Sequence, residues 1–599
     1  MRLPLPLAAL ALVGGCAREG PSVPPVSELP VAPVHAAHVG RAAPTAPPGD
    51  DDAITAAVGD YLELVVAISP ETGTAIGDHS RDAELDDYTL DGEAAGLRRE
   101  EEMLAGLRAR FASPRASLAR KTDLAVLESA ISVDLRLRRT QRPLERLPTA
   151  YTEPMDAIFL MAAREYAPAA DRARASLARV EKIPDVVALA RKNLGAPPKV
   201  WVEVGIEEAR SARDFFAGDE RTFLLGALPG ERARIDRDLD AATRAYLDYA
   251  RFLEHDVLPR AGADFALGRG GFEALLREGY FLDEGPDPLY DLGKRVFDET
   301  VTQLDAVAHR IDPKAGSWPD VTQAVKAHHP TAADLIPSYE REVVRARAFL
   351  ADKDVVPFPP GDDCKVEDTP PFLRSTTTAS YEAAPALDPV TRGFFYVTPV
   401  DRTLPRARQE EMLRENDHGD QVDTVVHETY PGHHLQLSFA RTSSSPIRKM
   451  SDAKRAPVLG ADLFAEGWGL YAEELMNELG YYSDEERLMQ LEWTLVRAAR
   501  VMIDVGLHTR GMTFDQAVHV LTDQAHLEHE LALTEVKRYT MTPTQPLSYL
   551  VGRERIRAIR ERFKQRAGDA FTLKAFHTAL LSHGSIAQGL VEREMFDGG

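Results

Sequence analysis

Apolar residues recur at three- and four-residue spacing through most of this chain, the repeat that lays one face of an α-helix against a core. AITAAVGDYLELVVAIS and DLAVLESAISVDLRLRR carry it, and ERARIDRDLDAATRAYLDYARFLEHDVLP predicts a long amphipathic helix stopped by Pro259. Proline- and glycine-rich points such as LGAPPK, LGRGG and DEGPDPLYD separate the helices. No fixed-period repeat is present, which argues against a solenoid. The one departure lies between residues 355 and 400. There TTTASYEAAPALDPVTRGFFYVTPV predicts two short strands around the reversal DPVTRG. An exposed edge strand at this point would pair with an extended peptide, making Tyr396 a candidate substrate-binding residue; the plainer reading is a hairpin that caps the core. The expected fold is mainly α with a small hairpin or sheet.

The chain ends and the composition add a location and an extent. MRLPLPLAALALVGGC joins a basic Arg2 to a short apolar run and small residues before Cys16, the pattern of a secretory signal over residues 1–16. Val13-Gly14-Gly15-Cys16 resembles a bacterial lipobox, with Cys16 as the lipidated first residue of the mature protein. Ala17 follows rather than Asp, which points the anchor to the outer membrane, facing the periplasm. The apolar run is too short to span a bilayer, and so is every later one. Residues 17–52 are rich in Pro, Ala and Val and suit an extended tether. With Cys16 lipidated only Cys364 is left, so no disulfide is expected within the mature monomer. The breaks divide the remainder into an N-terminal helical lobe, 53–290, and a second lobe, 291–599, that holds the candidate chemistry. The 94 acidic residues outnumber the 71 basic ones, giving a net charge of −23, which argues against a nucleic-acid partner.

That chemistry sits in QVDTVVHETYPGHHLQ, residues 421–436. Zinc peptidases commonly place two histidines at i and i+4 of one helix, with a glutamate after the first as base. Here His427 and Glu428 stand as expected, but Pro431 takes the i+4 place. Pro431 lacks an N–H and Gly432 is conformationally permissive, so a bulge or wound turn is expected. Such a turn would bring His433 to the usual ligand position, while His434 would share the His427 face of an unbroken helix and is the rival ligand. Asn416 and Asp417, just upstream, are candidate caps. Downstream, Glu466 in FAEGWGLYAEEL suits a third ligand, and Glu473, on the same helix face, suits a partner for a ligand histidine. Arg500, Asp504 and His508 follow at successive i+4 spacing, with Asp504 a candidate support for the site.

These motifs carry a resemblance. HETYPGH at 427–433, EGWGLYAE at 466–473, the segment from Arg500 to His508, Glu535 to Gly552 with its SYxxG, and FHTALLSHG at 576–584 resemble a widespread bacterial family catalogued as a domain of unknown function, number 885. SPETGTAIGDHSRDAELDD also fits, so the resemblance runs over nearly all of the mature chain. That family is similar in turn to helical zinc peptidases of the gluzincin kind, such as carboxypeptidase Taq, neurolysin and angiotensin-converting enzyme. The likeness implies a two-lobed helical body with a central cleft, and its pattern favours His433 over His434. This chain departs from those peptidases in its Pro-Gly insertion.

The mechanism expected from the residues uses His427, His433 and Glu466 to hold one Zn²⁺ with a position open for water. Glu428 would take the water's proton as it attacks a peptide carbonyl and pass it to the leaving amine. By analogy with similar peptidases, Tyr549 or His508 would donate to the oxyanion, and Arg538 would grip a substrate carboxylate. The rivals are a hydrolase of non-peptide amides or esters, and a lipid-anchored binding protein whose site has degenerated.

Overall fold

The computed structural model describes residues 49–360, 362–369, 379–388, 390–450 and 454–597. The signal, Cys16 and nearly all of the tether lie outside the described residues. Among the described residues the fold is mainly α with one small sheet. No helix among the described residues is long and apolar enough to cross a membrane.

Three apolar cores organise the helices. Helix α1 (Asp51–Ile68) buries Ile54, Val58, Tyr61 and Val65 along one stripe, and α2 (Leu118–Gln141) packs against it. A second core joins Tyr88 to residues between 144 and 257 around α3 (Lys199–Ala217) and α4 (Arg232–Phe252). In the third, α5 (Pro286–Ile311) lies along the helix Asp484–Thr509 and contributes Leu289, Val296 and Leu304. The α1–α2 pair shares its core with Val425 of the histidine-bearing segment and with Trp468 and Tyr471 of the helix that carries Glu466.

The sheet has three strands where the sequence suggested two. β1 (Cys364–Asp368), β2 (Ala379–Glu382) and β3 (Gly393–Val397) run in the order β1-β3-β2. β2 and β3 are antiparallel, as the hairpin pattern implies, with Tyr381 opposite Phe395. β1 was hidden in the acidic, proline-flanked stretch PGDDCKVED, and it pairs with β3 in parallel. β3 is therefore the middle strand, and both its edges are taken. This corrects the expectation for Tyr396. It is 7% exposed, sits opposite Ser380 on one side and Glu367 on the other, and stacks on Phe394 at 5.7 Å, away from any open edge. The strand that reaches the histidine helix is β2.

The rest of the frame is helical. α7 (His418–Glu428) and α8 (His433–Ala440) follow α6 (Leu335–Lys353) and the sheet. After them come α9 (Leu459–Glu478), α10 (Asp484–Thr509), α11 (His529–Met541) and α12 (Ser548–Ala567). Helices α9 and α12 cross where Gly467 meets Gly552; a Cβ on either would collide with the other's backbone. A cavity of about 1340 Å³ opens between α7, α10, α11 and the sheet, and Tyr549 of α12 also lines it.

Candidate metal centre

Helix α7 starts at Asp417, whose carboxylate accepts from the N–H groups of Gly419 (2.8 Å) and Asp420 (3.1 Å). Its last two residues are His427 and Glu428. It stops there because Pro431 offers no N–H and disfavours helical geometry in the residue before it. The sequence suggested a bulge within one helix; the structure has a full break. The Tyr430–Pro431 peptide is cis, and α8 begins afresh at His433. Gly432 lies so close under the end of α7 that a Cβ would overlap the carbonyl oxygens of Val426 and His427. The indole N–H of Trp468 donates to the Pro431 carbonyl at 2.7 Å and holds the turn.

The break carries His433 back beside His427, with ring centroids 4.7 Å apart and planes at 84°. Glu466 enters from α9. Its Oε2 lies 3.6 Å from His427 Nε2 and 3.4 Å from His433 Nε2. A tetrahedral site with ligand arms of ~2.1 Å has edges of about 3.4 Å, so these separations are those of donors around one small ion. Glu466 Oε2 is buried and has no hydrogen-bond partner among the described residues, which leaves it directed at the same point as the two nitrogens. Two imidazoles and a carboxylate suit Zn²⁺ in both number and type.

Electrostatics agree with a centre that demands positive charge. Burial opposes ionisation of Glu466, yet His427 and His433 hold it well below the usual carboxylate range. Burial likewise works against a charged His427, but Glu466 and Glu473 outweigh it and hold that imidazole up to about 10. Glu473 is fully buried and accepts from His427 Nδ1 at 2.7 Å, so Nδ1 keeps its proton and Nε2 is the nitrogen whose proton an ion would replace at the centre. Gln490 donates to the other Glu473 oxygen at 3.1 Å, a partner that the sequence offered no signal for. Gly469 gives the ring its room: a Cβ there would fall 2.6 Å from His427 Cε1.

His434 is excluded as a ligand by its own bonds. Nε2 donates to Asp362 Oδ1 at 2.7 Å, and Nδ1 accepts from the Tyr381 hydroxyl at 3.0 Å. Glu428 lines the cavity, and its Oε2 accepts the backbone N–H of Tyr381 at 3.1 Å. Tyr549 stands nearly parallel to the His427 ring, with centroids 6.3 Å apart, and the Arg500 guanidinium lies 4.8 Å from its centroid. Burial, with Glu466 nearby, pushes the Tyr549 hydroxyl up to about 12, so it keeps its proton at neutral pH and can donate.

Three other expected residues stand elsewhere or are already engaged. His508 does not line the cavity; its Nδ1 accepts from Leu267 N–H at 3.3 Å and its Nε2 donates to the Tyr539 carbonyl at 2.9 Å. Burial pushes this imidazole down to about 4, which makes it a neutral core histidine, not an oxyanion donor. Asp504 is buried and accepts from Thr544 N–H at 3.1 Å, so it fixes the turn before α12 and touches none of the three ligand side chains. Arg538 does line the cavity, but it donates to Gln545 at 2.6 Å and to Glu535 at 3.0 Å, a carboxylate it shares with Arg500.

The structure of a candidate lipoprotein of unknown function from Shewanella oneidensis is similar with a TM-score of 0.74 and 24% identity, covering 91% of this chain and 99% of that one. A candidate lipoprotein from Colwellia psychrerythraea gives 0.76 and 16%, covering 91% and 98%. No curated protein matches this sequence. The bacterial family of unknown function DUF885 matches residues 70–595.

Proposed function

The chain belongs to the bacterial family DUF885, and we propose that this member is a zinc-dependent peptidase held to the cell envelope by a lipid on Cys16. The observation that carries the reading is the convergence of His427 Nε2, His433 Nε2 and Glu466 Oε2, with His427 and its neighbour Glu428 lining a large cavity. His427, His433 and Glu466 would hold the ion. When bound, Zn²⁺ supplies Lewis-acid polarisation of a carbonyl and a water acidic enough to lose its proton near neutral pH.

The chain's own residues do the rest. Glu473 keeps the proton on His427 Nδ1, which leaves Nε2 free to ligate. Glu428 takes a proton from the attacking water and delivers it to the leaving amine. The Tyr549 hydroxyl donates to the oxygen that becomes negative as the carbonyl is attacked. A cavity of about 1340 Å³ exceeds what a small amide or ester fills and suits an extended peptide.

The lipid anchor rests on the signal-like N-terminus together with the description of both structural neighbours as candidate lipoproteins. The protein would then meet peptides in the envelope. A panel of fluorogenic peptides, esters and non-peptide amides, assayed before and after chelation and again after addition of Zn²⁺, tests the proposal. Chelator-sensitive cleavage confined to the peptides supports it, and cleavage confined to the esters or amides overturns it.

A further inference from the structure

The family resemblance marks the first histidine of the HH pair; the second, His434, is not a ligand. Its surroundings form a continuous polar chain. Asp362 accepts from Arg347 at 3.1 Å, from the Tyr430 hydroxyl at 2.8 Å and from His434 Nε2 at 2.7 Å. With its proton on Nε2, the His434 ring has its lone pair on Nδ1, and the Tyr381 hydroxyl donates to it. His434 is fully buried, with the Tyr430 and Tyr381 rings standing edge-on to it at 5.2 and 5.5 Å. Gly393 on β3 opens the space for this arrangement, since a Cβ there would overlap the Tyr381 ring. Tyr381 thus has its ring clamped on one side while its main-chain N–H, on the other, donates to Glu428 Oε2 at 3.1 Å.

We propose that His434 and Tyr381 are positioning residues for Glu428: the clamped ring fixes the edge of β2, and that edge fixes the carboxylate. The inference rests on the peptidase reading above. With Oε2 held by the strand, Oε1 is the oxygen left to exchange a proton with water in the cavity. Glu428 follows His427 directly in sequence, so without the strand contact the carboxylate would be free to rotate about its own side-chain bonds. The role is separate from metal binding, because neither His434 nor Tyr381 belongs to the ligand group.

The test uses Tyr381→Phe, which removes one hydroxyl and keeps both the ring and the N–H, with His434→Phe as a second variant. Each is assayed on the peptide that the wild type cleaves best, and zinc per chain is measured in parallel. A fall in kcat of ~10–100-fold, the usual effect of losing an outer partner of a site, is expected for each variant, with KM and zinc content unchanged. The double variant should be no slower than the worse single one, because both cut the same chain. Wild-type kcat in Tyr381→Phe, or a loss that tracks missing zinc or a raised KM, overturns the positioning role and leaves the peptidase reading standing. A wild type that binds zinc yet cleaves no peptide overturns both.

Discussion

Whether a histidine can take a metal depends on what its two nitrogens already do. His434 spends both on Asp362 and Tyr381, whereas His427 spends only Nδ1, on Glu473. His433 makes no bond through its buried Nδ1 among the described residues, and its Nε2 faces Glu466. His433→Ala should therefore leave the protein without stoichiometric zinc, while His434→Phe keeps it; elemental analysis of the two purified variants decides, and equal zinc in both would refute the ligand assignment. Glu473→Gln should weaken zinc binding by ~10–100-fold, read by competition with a chelating dye. At this scale the sequence was informative about residue types and poor about partners. The His-Glu pair pointed to His427, distance along the chain to Glu466, and helical spacing from Glu466 to Glu473, because a helix fixes which side chains share a face. His508 satisfied the same spacing, yet its face is turned into the core against Leu267 and Tyr539, a fact set by packing between segments far apart in the chain.

Among the elements, the crossing of α9 and α12 decides how Glu466 and Tyr549 meet. Gly467 and Gly552 let the two backbones touch. On an exposed helix, Gly→Ala gains about 1 kcal/mol from propensity. Here the added methyl has no space, and Gly467→Ala should destabilise the protein by ~1–3 kcal/mol in denaturant unfolding. A variant as stable as the wild type would show that the crossing relaxes freely. The helices themselves were legible from their apolar period, and the antiparallel β2–β3 pair from its strand propensity. β1 was not, because Cys364–Asp368 is too polar and too close to prolines to look like a strand; its pairing with β3 is non-local. The Pro-Gly interruption was visible, but its outcome as two helices depends on Trp468, thirty-seven residues further along, gripping Pro431.

In the whole molecule, the α1–α2 pair and the histidine segment share one apolar core, so the N-terminal helices buttress the site rather than merely adjoin it. Glu220, which does not line the cavity, is buried beside Ser176, where burial outweighs that hydroxyl and pushes its carboxyl up to about 8. A folded-state pKa above the unfolded value of ~4.3 means that the protonated acid stabilises the fold fully at acid pH, and that this stability is lost as pH rises through about 8. Glu220→Gln, which mimics the protonated acid, should match the wild type near pH 4 and melt higher at pH 9; melting curves that run parallel across this range would contradict the assignment. The central claim is that three side chains from a broken helix and its neighbour hold one ion for Glu428 to use. Peptide turnover by zinc-loaded Glu428→Gln beside zinc-loaded wild type tests it most directly. One zinc per chain is expected in both proteins, with a kcat lower by ~10³-fold in the variant, of the order that removing a general base costs; wild-type turnover in the variant, or zinc in neither protein, would contradict the assignment.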